Sequence, residues 1–218
     1  PDEKDMGWPS WAFENHDAPR AVSRWCDPGR RDEFARVKMA LLVALRGSII
    51  VYQGEELGLE QDDIPFEMLK DPEAIANWPR TLSRDGARTP IPWDTTMEAG
   101  FTTGEPWLPI GDANRRRAVE LQEKDEDSTL NLARRILAMR RDNPALRLGA
   151  VEHCQAEGNL LALDRVAEGQ RIRCLFNLGS EEVPFSDNSQ DTKLILSVNG
   201  ATPEKLPGYS ALFWECSW

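Results

Sequence analysis

The sequence predicts an α/β segment followed by an all-β segment. Three observations carry this. A strand pattern, an amphipathic helix and a continuous apolar strand run follow one another over residues 10–52. A second well-capped helix pattern occupies 128–143. From about 150 onward, short alternating segments separated by turn residues replace helical periodicity altogether.

In order along the chain, Trp11 and Phe13 alternate with smaller or polar neighbours, which predicts a strand over 10–14. "RDEFARVKMALLVALRG" places Phe34, Val37, Leu41 and Leu45 on one helical face, with Gly47 as its stop. "SIIVY" (48–52) is β-branched and apolar on both sides, the pattern of a parallel strand covered on both faces. Strand, helix, strand is a βαβ unit, and chemistry on such units collects at the carboxyl ends of the strands. Those ends read "ENHD" and "QGEELG". Residues 58–127 are rich in Pro, Gly, Trp and charge without a sustained period, a length that a compact domain keeps when it is functional. Ser128 caps the next helix, Leu130, Ala133 and Leu137 form its stripe, and Asn143-Pro144 ends it. Beyond 150, Ile172, Cys174 and Phe176 alternate, as do Leu212, Trp214, Cys216 and Trp218, which predicts a small antiparallel sandwich.

Composition narrows the function. The net charge of −11, from 26 basic and 37 acidic residues, argues against nucleic acid or an anionic membrane as partner. The longest apolar stretch, "MALLVALRGSIIVY", is too short and too interrupted to span a bilayer. Four cysteines without CxxC spacing and two histidines give no zinc pattern, so no metal or cofactor is expected. Scattered thiols and a charged start, "PDEKDMGWPS", without an apolar run predict a cytoplasmic protein with no signal peptide. The first residue is Pro1 and not Met, which predicts a piece of a longer chain.

The chemistry-bearing stretch is "WAFENHDAPR", where Asn15, His16, Asp17 and Arg20 end an apolar run. One reading is a polar loop: an Asx turn, helix-capping groups and an Asp17–Arg20 surface ion pair. The other is recognition of a hydroxyl-rich ligand by carboxylate, imidazole and guanidinium, with aromatic faces against a sugar ring. Trp8, Trp11, Trp25, Trp93 and Trp107 suit such a site, and equally a core.

Three stretches in succession, "WPSWAFENHDAPRAVSRW", "GSIIVYQGEELGL" and "DGARTPIPWD", resemble motifs of the α-amylase superfamily of glycoside hydrolases. They are most similar to its α-glucosidase branch, which includes oligo-1,6-glucosidases. The resemblance covers nearly the whole chain. It implies the C-terminal quarter of a (β/α)8 barrel over residues 1–149 and a β-sandwich domain over 150–218. Trp8–Asp17 would lead into and form the seventh barrel strand, and Ser48–Tyr52 the eighth. It also implies that Asp17 is the carboxylate that holds sugar hydroxyls and favours the distorted, oxocarbenium-like ring. His16 would bind the same sugar, Arg20 would be a subsite arginine, and Arg88 would recognise the non-reducing end and, together with an Asp in the N-terminal part of the barrel, make the enzyme exo-acting. Glu14 departs from the branch, which often has a small or neutral residue there. If it faced Asp17, one of the two carboxyls would be harder to ionise.

The nucleophile and the acid/base of a retaining glycosidase stand about 5 Å apart. In this family both lie on strands preceding those seen here, and adjacent Glu55 and Glu56 do not replace them. The chain alone is therefore expected to be inactive, with a small oligosaccharide as substrate and the N-terminal part of the barrel as its necessary partner. Two barrel strands cannot close a barrel, so self-association through "SIIVY" is also expected. Alternatives are a transglycosylating relative of the trehalose or isomaltulose synthase type, a non-catalytic member, or a carbohydrate-binding sandwich.

Overall fold

The computed structural model describes residues 7–81, 83–167, 169–185 and 192–216. Trp218 of the expected alternation and the first six residues lie outside the described residues. The chain divides into two compact units: Pro1–Ala12, Asp27–Ile50 and Ala133–Trp218 form one, and Phe13–Cys26 with Val51–Leu132 the other.

In the first unit, β1 (Ser10–Trp11) pairs in parallel with β2 (Ser48–Ile49), Ser10 opposite Ser48 and Trp11 opposite Ile49. The βαβ order is as expected, but both strands are far shorter than the expected 10–14 and 48–52. The second strand's apolar run is not enclosed here: Ile50 is 54% exposed. The two strands form a sheet of their own, with no further strand on either edge among the described residues. Gly47 sets the start of β2. Its φ is +118°, and a Cβ there would lie 2.2 Å from the Pro9 carbonyl oxygen, which accepts the Ser48 N–H at 2.9 Å.

Between the strands, in sequence, lie the short α1 (Ala21–Trp25) and α2 (Arg31–Ala44). Helix α2 buries more than one stripe: Ala35, Met39, Ala40, Leu42, Val43 and Ala44 are fully covered, whereas Leu41 and Leu45 of the expected face are half-buried. It ends at Ala44, before Gly47, and its last carbonyls are satisfied from elsewhere in the unit. Arg140 donates to the carbonyls of Val43, of Leu45 at 2.9 Å and of Gly47 at 2.6 Å. Arg165 donates to Ala44 at 2.7 Å and Gly149 at 2.9 Å. These carbonyls carry the negative end of the helix dipole, so the two buried cations take the place of a local cap. Burial pushes the Arg165 guanidinium down to about 10, with the neighbouring Arg140 charge adding to the effect.

The second unit holds the long irregular stretch. It contains short helices α3 (Pro72–Asn77), α4 (Asp112–Arg115) and α5 (Val119–Gln122), and two single 3₁₀ turns, Phe66–Met68 and Arg84–Ala87. Order comes from two apolar knots, Ile64–Leu69–Ala74–Leu108 and Leu57–Leu59–Leu130, and from buried amides that replace a ladder. Asn114 bridges both backbone groups of Glu60 at 2.9 Å each, and Gln122 donates to the Leu57 and Arg117 carbonyls.

Helix α6 (Thr129–Asp142) is capped as expected: Ser128 Oγ accepts the Asn131 N–H at 3.1 Å. Its buried face is Leu130, Leu132, Ala133 and Ile136, and Leu137 is 37% exposed. Leu132 and Ile136, one turn apart, centre the face on Ile136, which takes the place expected for Leu137.

Helix α7 (Pro144–Leu148) leads to β3 (Ala150–Glu157), β4 (Leu160–Ala167), β5 (Gln170–Asn177), β6 (Val183–Pro184), β7 (Thr192–Val198), β8 (Lys205–Leu206) and β9 (Ser210–Cys216). Five form one antiparallel sheet in the order β3-β4-β5-β9-β7, and β6 pairs with β8. Both faces of the central strands are buried. Leu175, Leu212 and Trp214 pack on Ala201 and Leu206. Ile172, Cys174, Phe176 and Phe213 point the other way, where α2 packs on β5, β7 and β9. Phe176 and Phe213 meet edge to face at 5.7 Å.

Candidate functional site

All four residues singled out from the sequence belong to the second unit, and the structure separates them into two layers. The outer layer is a turn. Asn15 Oδ1 accepts the N–H groups of Asp17 at 2.8 Å and Ala18 at 2.9 Å, an Asx turn that displays the two residues between. His16 and Asp17 keep 66% and 57% of their side chains exposed, with His16 Nε2 3.4 Å from Asp17 Oδ2. Arg88 closes the turn from behind: Nε donates to the His16 carbonyl at 2.8 Å, and Nη2 to Asp17 Oδ1 at 3.0 Å. "NHD" and "RTPIPWD", 71 residues apart, thus meet at one carboxylate.

The inner layer contains Arg20. The sequence offered it as a ligand-contacting group and as the partner of Asp17, and the structure makes it neither. Its side chain is 1% exposed and pairs with Glu14, also 1% exposed, at 3.1 Å. Its Nη1 also donates to the Gln53 carbonyl at 2.7 Å, and the guanidinium lies 4.6 Å from the centre of the Tyr52 ring. Glu14 meanwhile accepts the Ala21 N–H at 3.2 Å, at the start of α1. The extra carboxylate is therefore matched by a cation of its own on the buried side, as the alternation of side chains along an extended chain allows. A buried pair is a positional constraint more than a source of stability.

Arg84 and Asp71 also belong to this group, and the sequence reading passed over both. Arg84 Nη1 is 3.6 Å from Asp17 Oδ1. The rest of its fork is bound to Asp71, Nη2 to Oδ1 at 2.6 Å and Nε to Oδ2 at 2.9 Å. The Arg84 hydrogen bonds hold the Asp71 carboxyl well below the usual carboxylate range, and Asp71 in turn raises the Arg84 guanidinium. The available signal was "SRDGARTP", in which two arginines stand four apart.

Chemically, the outer layer offers two carboxylate oxygens, an imidazole and two guanidinia, a mixed donor and acceptor set suited to a polyol. Among the described residues no group of three or more His, Cys, Asp or Glu is arranged to hold a metal ion. The five tryptophans named above are all 39–53% exposed, whereas Trp214 in the sheet is 2% exposed. A separate open cleft of about 1000 Å³, lined by Met68, Met97 and Trp107 among others, contains none of Asn15, His16, Asp17, Arg20, Asp71, Arg84 and Arg88. No helix among the described residues is long and apolar enough to cross a membrane.

Comparison with known proteins places the chain in a family. Residues 2–149 match the family model for the α-amylase catalytic domain. The chain is 45% identical over 215 residues to a probable alpha-glucosidase of Rhizobium meliloti (strain 1021), covering 95% of this chain and 39% of the relative. It is 30% identical over 212 residues to an oligo-1,6-glucosidase of Heyndrickxia coagulans, covering 88% and 38%. Among solved structures it superimposes on the alpha-glucosyl transfer enzyme XgtA with a TM-score of 0.87 at 38% identity, covering 97% of this chain and 41% of that one. The chain thus spans about two fifths of the length of these relatives. With the family model covering most of the chain and a relative 45% identical over 95% of it, this chain belongs to the α-amylase family of glycoside hydrolases.

Proposed function

We propose that this chain is the C-terminal part of an exo-acting, retaining α-glucosidase that cleaves α-glucosidic bonds of short oligosaccharides. Residues 1–149 are then the last quarter of a (β/α)8 barrel and 150–218 a β-sandwich domain. The observation that carries the reading is the display of His16 and Asp17 on one turn, with Arg88 bound to both the turn and the carboxylate. In the reaction, Asp17 accepts hydrogen bonds from hydroxyls of the glucosyl unit. Those bonds tighten as positive charge develops on the ring, so the carboxylate lowers the barrier more than it strengthens ground-state binding. His16 supplies a directional contact to the same sugar. Arg88 limits the site at the non-reducing end, and Arg20 acts from beneath through Glu14. Nucleophile and acid/base come from the remaining part of the barrel, so the chain alone releases no glucose. No disulfide joins the four cysteines, and a cytoplasmic setting is part of the same proposal.

The test is Asp17→Asn in the full-length protein. The expected result is a fall in kcat of roughly 1000-fold with an unchanged fold by circular dichroism. Near-normal turnover would remove Asp17 from the chemistry. Glucose release from maltose or isomaltose by the isolated chain would contradict the division of catalytic groups. A transglycosylating enzyme is the second reading, favoured by the 38% identity to an alpha-glucosyl transfer enzyme. Product analysis of the full-length protein separates the two.

A further inference from the structure

Arg84 and Arg88 sit on one 3₁₀ turn. Ser83 Oγ accepts the Asp85 N–H at 3.0 Å to start it, and the Arg88 N–H bonds the Asp85 carbonyl at 2.8 Å to end it. Four positions apart, the two guanidinia converge on the same oxygen, Asp17 Oδ1, at 3.6 and 3.0 Å. Yet Arg84 is not held there by Asp17. Asp71, 2% exposed, accepts from both N–H groups of one edge of its fork, Nε and Nη2, and also accepts its backbone N–H at 3.0 Å. Asp71 is fixed in turn. It accepts the Glu73 N–H at 3.2 Å as the cap of α3, and its own N–H donates to Asp85 Oδ2 at 2.8 Å. The two segments clasp each other before Asp17 is considered.

We propose that Arg84, oriented by buried Asp71, is a positioning residue that fixes the carboxylate of Asp17 together with Arg88. This rests on the reading of Asp17 given above. A carboxylate 57% exposed on a surface turn gains little stability from an ion pair and keeps its rotational freedom. A guanidinium anchored elsewhere changes that, because its position does not depend on Asp17. It occupies the Oδ1 side and leaves Oδ2, beside His16, for a sugar hydroxyl. The benefit is preorganisation: the oxygen stands where charge will develop, without a rearrangement during the reaction.

The experiment compares Arg84→Gln, Arg84→Lys, Asp71→Asn and the double variant Asp71→Asn/Arg84→Gln with Asp17→Asn, all in the full-length protein. Active sites are counted with a covalent inactivator. Arg84→Gln and Asp71→Asn should each lower kcat per active site about 10–100-fold, with KM changed less than about threefold. The double variant should lose no more than the worse single one, because both act through one contact. Arg84→Lys keeps a charge for Asp71 without the fork, and should lose roughly tenfold. If Arg84→Gln does not fold, Arg84→Lys and Asp71→Asn decide. Unchanged kcat per active site in these variants, with Asp17→Asn still inactive, overturns the role of Arg84 and leaves that of Asp17 standing. An active Asp17→Asn overturns both.

Discussion

Asn15 decides how its neighbours are used. By accepting two consecutive N–H groups it turns the chain so that His16 and Asp17 face outward while Glu14 is buried. Asn15→Ala is expected to cost about 0.5–1.5 kcal/mol in urea denaturation, because an exposed turn bond contributes modestly. Its effect on kcat should exceed that on stability. The buried pair behaves in the opposite way. Arg20→Met strips Glu14 of its salt-bridge cation and is expected to destabilise by about 3–5 kcal/mol, read from the thermal midpoint. At this scale the residue types of the candidate site were legible, and the structure brings two of the residues singled out, Asp17 and Arg88, into contact. The role of Arg20 was not, since which side of the chain an arginine faces depends on what lies beneath it.

Elements show the same split. The Ser128 cap of α6 could be read directly, because a cap is a local hydrogen bond between residues three apart. Ser128→Ala should lower the urea midpoint by the equivalent of about 1 kcal/mol with an unchanged m-value. The end of α2 could not be read so, because its carbonyls are met by Arg140 and Arg165, about a hundred residues away in sequence. The turn bearing the two arginines needs Gly86, where a Cβ would lie 2.1 Å from the Asp62 carbonyl oxygen. Gly86→Ala should therefore destabilise the protein by about 1–3 kcal/mol and displace both guanidinia. At the start of α3, the Asp71 carboxyl lies below its unfolded value, so it stabilises the fold above about pH 4. That contribution is lost as pH falls through the folded value. Asp71→Asn should flatten the acid side of the stability curve, measured by urea denaturation from about pH 5 down through the range below about pH 4.

For the whole molecule, the sequence separated the α/β part from the β part, because helical and strand periodicities are local properties of side-chain spacing. It also marked the Asp17 turn, whose run of amide, imidazole, carboxylate and guanidinium stands out from the apolar residues before it. Strand length was beyond it: "SIIVY" is a good strand sequence, but only Ser48 and Ile49 pair, and Ile50 stays exposed. That edge should make the isolated chain associate as concentration rises, which sedimentation velocity would detect; a strictly monomeric chain would contradict it. Only the tertiary structure decided which cation serves which anion. It gave Glu14 to Arg20, Asp71 to Arg84, and Asp17 to Arg88 and Arg84. Pairing of charges depends on distance in space and on burial, and neither is written in the spacing of residues along the chain.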